Sequence, residues 1–230
     1  QLLFHTQVVN TVRDGDKVTG IVVENKSGRQ AFLGKIIIDC TGDGDVAALA
    51  GVPFQIGDEP HHTTQAMTTM LKLCNVDFVQ REPYELLELM KEGQKKAPDY
   101  KIVFDCPWII DCPDGSSILQ YVHVRGRTGT DAQDLTRAEL EGRKQGLEAF
   151  KFLKENVRGF ERAVLAQIAS HIGVRETRRI KGEYCFTEED LRGGKTFEFP
   201  DATFICEFNI DIHEEDSEKQ TVELIPAYTI

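Results

Sequence analysis

No stretch of this 230-residue chain is apolar for long enough to cross a bilayer, so no membrane-spanning helix and no membrane partner are expected. Basic residues are few beside acidic ones. The 27 Lys and Arg stand against 38 Asp and Glu, a net charge of −11. Nonspecific nucleic-acid binding needs a basic surface, so nucleic acid is not expected as a partner. The six cysteines, at 40, 74, 106, 112, 185 and 206, contain no C-x-x-C pair, which excludes the usual zinc and iron–sulfur spacings. Cys106 and Cys112 could face each other across a bend, but a small buried thiol is the commoner use of such residues. His61 and His62 are adjacent, point to opposite faces of an extended chain and have no evident third ligand, so no metal is expected. Ser116-Ser117 lacks a G-x-S-x-G elbow, and hydrolase chemistry has no support. Repeats and low-complexity segments are also missing. The chain opens at Gln1 without a Met or a basic–apolar leader, which reads as a processed or excised piece and leaves the compartment unread.

Apolar residues make up 40% of the chain, enough for one large domain or two small ones. Residues 1–38 read as a β-meander. LLFHTQVVNTVR, VTGIVVEN and QAFLGKIIID are strand-like and are separated by the turns DGDK and KSGR. A short helix is expected from Asp45, with Asp45 as its N-cap, stopped by Gly51 and Pro53. After a loop at 55–66, TTMLKLCNVD reads as a strand. ELLELMKEGQKK reads as a helix with Leu86, Leu87, Leu89 and Met90 on one stripe. Residues 101–112 and 117–125 are strand-like around the turn PDGS. Thr136 and Glu139 fit a capping box for the longest helix, with Leu140, Leu147, Phe150 and Leu153 at helical spacing. TFICEFNIDIH is a last strand before an acidic loop, and the strand-like end VELIPAYTI suggests a fold that continues.

The stretch IIIDCTGDGDVAALAG, residues 36–51, runs from a β-branched strand signal into an acidic glycine turn and a short helix. Gly42-Asp43-Gly44-Asp45-Val46-Ala47 formally matches the loosened dinucleotide pattern G-x-G-x-x-A. Three features oppose a diphosphate role. The helix is too short for a parallel crossover, no acidic strand end follows at the expected distance, and Asp43 and Asp45 crowd the helix start where a diphosphate would sit. Backbone amides of a tight glycine turn with nearby carboxylates suit hydroxyl partners better. A plain strand–turn–helix junction is the other reading.

The ordered set IDCTGDGDVAALAG, LTRAELEGRKQ, GVRETRRIKGEYCFTEEDL and NIDIH resembles the FAD-dependent oxidoreductase family, of the glutathione-reductase-like flavoproteins. The resemblance covers nearly the whole chain. It implies an α+β fold: the β-meander edge of a Rossmann-like FAD-binding domain over 1–58, joined to a mixed α/β substrate, or cap, domain over 59–230. It implies FAD as cofactor, a small-molecule substrate and hydride or electron transfer to the flavin. In that family a strand ending in Ala-Thr-Gly borders the adenosine half of FAD. Here Cys40-Thr41-Gly42 takes that place, with Asp43 beside it, and Val8 or Val9 lies on the strand that passes the adenine. The true G-x-G-x-x-G start and the closing glycine-rich segment of such flavoproteins are not found. The expectation is therefore a central fragment, lacking amino- and carboxy-terminal parts of its own chain, inactive alone and weak in FAD binding; an oligomer is left open.

Arg175, Arg178 and Arg179 in GVRETRRIKG suit the carboxylate or phosphate of a substrate. An internal ion-pair network is the competing use of the same residues. Asp211 and His213 alternate on one strand face, where a carboxylate can orient an imidazole for proton transfer, although such a pair is often structural. His123 and Arg125 share a strand face and either line a substrate cavity or pack, with packing favoured. The alternative to an oxidoreductase is a noncatalytic module that binds a ligand or partner through the cap surface.

Overall fold

The computed structural model describes residues 2–58, 62–82, 84–103, 106–185, 187, 189–190, 205–206, 209–213, 220–224 and 228–229, the last four stretches by backbone alone. In chain order the first elements are β1 (Gln7–Asp14), β2 (Lys17–Asn25), β3 (Gly28–Leu33), α1 (Asp45–Leu49) and β4 (Phe54–Ile56). Then come β5 (Met67–Cys74), α2 (Glu85–Gln94), β6 (Trp108–Asp111), β7 (Ser117–Val124), α3 (Ala132–Asn156), β8 (Val164–Ile168) and β9 (Arg178–Ile180). Four short strands close the series: β10 (Ile205–Cys206), β11 (Asn209–His213), β12 (Gln220–Leu224) and β13 (Tyr228–Thr229). The chain forms two compact units, Gln1–His62 with Thr177–Thr187, and Thr63–Glu176 with Glu188–Ile230.

In the first unit β1, β2 and β3 make the expected antiparallel meander. Gly15 and Gly28 take the left-handed conformation that the tight turns require. β1 carries a bulge: Val8 faces Val23 and Asn10 faces Val22, so Val9 is the extra residue. The expected third strand stops early. β3 ends at Leu33, and residues 36–38 are not a strand; Ile36 and Ile38 are 81% and 79% exposed. A β-branched run becomes a strand only beside a partner's ladder. The last link to β2 is the Gly34 amide on the Thr19 carbonyl. β9 returns across more than a hundred residues to pair antiparallel with β4, setting Ile56 opposite Arg178 and Phe54 opposite Ile180.

The second unit is built on an antiparallel sheet in the order β6-β7-β5-β8. β6 and β7 form the hairpin that the turn PDGS signals, but β6 is only the end of the strand-like run 101–112. α2 buries Leu86, Leu87 and Met90, three of the four residues of its expected stripe. α3 begins four residues before the expected Thr136. Asp131 is the true cap, its carboxylate accepting from the amides of Gln133 and Asp134. Thr136 instead donates to the Ala132 carbonyl, and the Glu139 carboxylate accepts the Ile172 amide, so there is no capping box. The buried face of α3 also differs from expectation. It is Ala138, Gly142, Gly146, Ala149, Phe152 and Leu153, while Leu140 and Leu147 are exposed. Close approach to the sheet explains this: a Cβ on Gly142 would lie 2.6 Å from Thr69 Oγ1.

The main core joins Leu71, Leu73, Leu119, Tyr121, Phe152, Leu153 and Phe160; a smaller cluster joins Met67, Val122, Val124, Ala138 and Ile172. Tyr100 stacks on Phe152 with centroids 3.9 Å apart. Cys106 and Cys112 are not joined in a disulfide.

Candidate functional site

The acidic glycine turn is held by two side chains that precede it. Asp39 Oδ1 accepts from the Thr41 amide at 3.0 Å and from the Thr41 hydroxyl at 2.7 Å. Asp39 Oδ2 accepts from the Ala47 amide at 2.9 Å, and Thr41 Oγ1 accepts from the Asp45 amide at 2.8 Å. Helix starts leave unpaired amides, and here residues 39 and 41 satisfy two of them. Asp45 is therefore not the N-cap. Gly44 occupies that place with φ 63° and makes no side-chain cap, and Asp45 is the first helical residue. Burial pushes the Asp39 carboxyl up, but donation from the Thr41 hydroxyl and from the Ala47, Thr41 and Val46 amides outweighs it. The net effect lowers its pKa.

The remaining carboxylates of the turn meet β9 and the residue before it. Asp43 Oδ1 accepts from the Thr177 hydroxyl at 2.7 Å. Arg178 Nη1 donates to the Asp43 carbonyl at 3.0 Å and to Asp45 Oδ1 at 2.7 Å. The Arg178 side chain is only 16% exposed, and its guanidinium lies 5.5 Å from the centroid of the Phe54 ring. Arg179 donates to the Gly57 carbonyl. The β4–β9 pairing brings these arginines to the turn. Sequence reading missed Asp39 and Thr177. The D-x-T spacing ahead of a helix was a usable signal for Asp39; nothing local marked Thr177.

Gly42 is the open point of this arrangement. It has φ 77°, is exposed, and an added Cβ would meet no atom within 4 Å. The backbone of the turn can thus be approached closely by a flat or hydroxylated ligand edge. Three carboxylates, at 39, 43 and 45, lie in or beside the turn with the Arg178 guanidinium, an acidic balance that disfavours a diphosphate and suits hydroxyl groups. Val9 sits at the β1 bulge, and Thr11 of the same strand donates to the Leu49 carbonyl of α1 at 3.3 Å.

The other expected site residues are placed separately. Arg175 belongs to the unit Thr63–Glu176, whereas Arg178 and Arg179 belong to the first unit. Asp211 and His213 occupy alternate positions of β11, opposite Val222 and Gln220; their side chains lie outside the described residues. His123 is 5% exposed and pairs with Thr68 across β5 and β7. Among the described residues no three His, Cys, Asp or Glu side chains could hold a metal ion, and no helix of the described residues is long and apolar enough to cross a membrane.

Residues 1–230 match the model of the family described as FAD dependent oxidoreductase. No curated protein matches the chain. The match spans every element described above, from the meander and the Thr41–Asp45 turn to the arginine segment and β11. An oxidoreductase role for the complete protein, with FAD as its cofactor, follows from it. The chain belongs to the FAD dependent oxidoreductase family.

Proposed function

We propose that the first unit is the adenosine-side edge of an FAD-binding domain of the glutathione-reductase-like kind, and that the second unit is the substrate-selecting cap. The observation that carries this reading is the Asp39–Thr41 lock, which leaves Gly42 exposed at the tip of a rigid turn. Thr41, Gly42 and Asp43 border the adenosine, and the bulged backbone at Val9 lies along the adenine. When bound, the flavin supplies the two-electron chemistry. The chain's own residues bind, orient and move protons. Arg175 holds an anionic group of a small-molecule substrate. Arg178 and Arg179 fix the acidic turn and the β4 backbone of the first unit. Asp211 orients His213, which takes or gives the substrate proton.

Diphosphate contacts come from segments other than the acidic turn. The partner in this reading is a small molecule, with neither nucleic acid nor membrane.

The test is the absorbance spectrum of the complete protein, followed by anaerobic titration with candidate hydride donors. A bound flavin spectrum that bleaches with one donor class supports the reading. A colourless complete protein that takes up no FAD at micromolar cofactor overturns it.

A further inference from the structure

We infer that the cavity between the Asp77–Arg81 segment, the first turns of α2 and the turn after α3 binds a free α-amino acid with an apolar side chain. Its carboxylate lies on Arg81 and Arg158, and its ammonium group on Glu85 and Glu161. The site is contained in the second unit and goes beyond the flavin reading, on which it does not depend. The sequence separates its charged residues into two stretches, 77–85 and 158–162, each of which carries both signs.

A close backbone approach builds the cavity wall. The Asp77 amide donates to the Gly159 carbonyl at 2.8 Å, and Phe78 stands against Phe160 with ring centroids 5.7 Å apart. Gly159 has φ 92°, and a Cβ there would lie 2.9 Å from the Cβ of Phe78. A glycine is what lets the turn after α3 come so near to the 77–79 segment. The cavity beside this contact has a volume of about 450 Å³, within the range of roughly 300–1,000 Å³ usual for small-molecule sites. Val79 and Leu89 give it an apolar side.

Among the described residues five charged side chains line the cavity, and they differ in what they already hold. Asp77 is taken by Arg162, whose Nη2 and Nε donate to its two carboxylate oxygens at 2.7 and 3.0 Å. Glu85 Oε2 accepts the Arg81 amide at 3.0 Å, and Glu161 Oε2 accepts the Gly159 amide at 2.9 Å. Those bonds fix the two glutamates and leave the second oxygen of each without a partner among the described residues. The guanidinium groups of Arg81 and Arg158 likewise make no hydrogen bond or ion pair there. With the Asp77–Arg162 pair set aside, two guanidinium groups and two carboxylates remain, and their charges cancel. A simple anion is repelled by the glutamates, and a simple cation by the arginines. A ligand that carries both charges close together satisfies all four groups. A free α-amino acid has its carboxylate and ammonium on one carbon, and an aliphatic side chain matches Val79 and Leu89.

The probe is radiolabelled L-leucine, in equilibrium dialysis against the full 230-residue chain at fixed pH and ionic strength. The expected result is saturable uptake, with the dissociation constant raised at least about tenfold in Arg81→Gln and in Arg158→Gln. Both arginines are exposed, so these variants keep the fold, which an unchanged Trp108 fluorescence midpoint in urea checks. Isocaproate and isoamylamine keep the side chain and one charge each, and are expected to compete at least about tenfold less well than L-leucine. Glu161→Gln keeps an acceptor for the Gly159 amide and is expected to weaken L-leucine while strengthening isocaproate, which a loss of folding cannot do. Lys151→Gln, on an exposed position of α3 outside the cavity, is expected to stay within about twofold. No saturable uptake, an equal loss in Lys151→Gln, or isocaproate bound as tightly as L-leucine overturns the inference.

Discussion

In the second unit a 25-residue helix lies on a four-stranded sheet and buries Leu71, Leu119, Tyr121, Phe152, Leu153 and Phe160. Among the described residues of 1–62 the buried apolar side chains are Val23, Val46 and Ala50, and Leu2, Phe4, Leu33, Ile36 and Ile38 are exposed. The first unit takes its local order from hydrogen bonds: Asp39 to Thr41 and Ala47, Thr177 to Asp43, and Arg178 to Asp45. Apolar burial is nondirectional and tolerates small shifts, whereas a polar lock specifies the position of individual backbone atoms. That difference suits the two proposed tasks. A cap needs a stable platform, and a cofactor turn needs fixed amides at an open surface.

The largest effect on this contrast is expected at the helix–sheet contact of the second unit. Gly142→Leu drives a side chain into Thr69 Oγ1 and the Ile172 Cδ1 atom, which lie 2.6 and 3.2 Å from the Cβ position. Overpacking of this kind costs about 3 kcal/mol. The single tryptophan, Trp108 on β6, reports on this unit, so its fluorescence midpoint in urea is expected to fall sharply. An unchanged midpoint would mean that α3 does not sit so close to β5.

A smaller effect is expected in the first unit. Asp39→Asn removes a charged acceptor from three hydrogen bonds and weakens the turn by about 2 kcal/mol. Hydrogen exchange at the Thr41, Asp45 and Ala47 amides is expected to speed up by more than about tenfold while the Trp108 midpoint stays put. Equal loss in both readouts would erase the contrast. The pH dependence has a definite sign. The folded pKa of Asp39 is below its ordinary value of 3.8, so its contribution is fully present above that value and is lost as pH falls through the lowered one. Protection of these three amides should therefore hold through pH 4 and decline only in stronger acid. A decline already complete at pH 5 would assign their protection to another group.

The hairpins were legible in the sequence because their turns are local: DGDK, KSGR and PDGS each fix a two-strand unit by residue type. The start of α3 was not, because Asp131 and Thr136 are both acceptable caps and only the first has its carboxylate on free amides. Its buried stripe was hidden for a related reason: where a helix presses close to a sheet, glycine and alanine mark the contact and leucine does not. The Ile36–Ile38 run misled in the opposite direction, since β-branched residues promise a strand that needs a partner. At the candidate site, Thr41, Gly42 and Asp43 were legible as a turn, but their restraints come from Thr177 and Arg178, more than a hundred residues away. The arginine segment read as one cluster in sequence; the fold divides it, with Arg178 and Arg179 turned to the acidic turn and β4 and Arg175 left in the other unit.

The central claim is that the open side of Gly42 receives the adenosine half of FAD, and the direct measurement is the FAD dissociation constant of the complete protein carrying Gly42→Ala. Gly15→Ala is the matched control: Gly15 also has a left-handed φ, 58° against 77°, and open space at its Cβ, but lies in the β1–β2 turn. Both substitutions carry a similar backbone strain of about 1 kcal/mol. The account predicts that Gly42→Ala weakens FAD at least about tenfold beyond the control, because a methyl group then occupies the approach to the backbone. Equal FAD affinity in the two variants would contradict it.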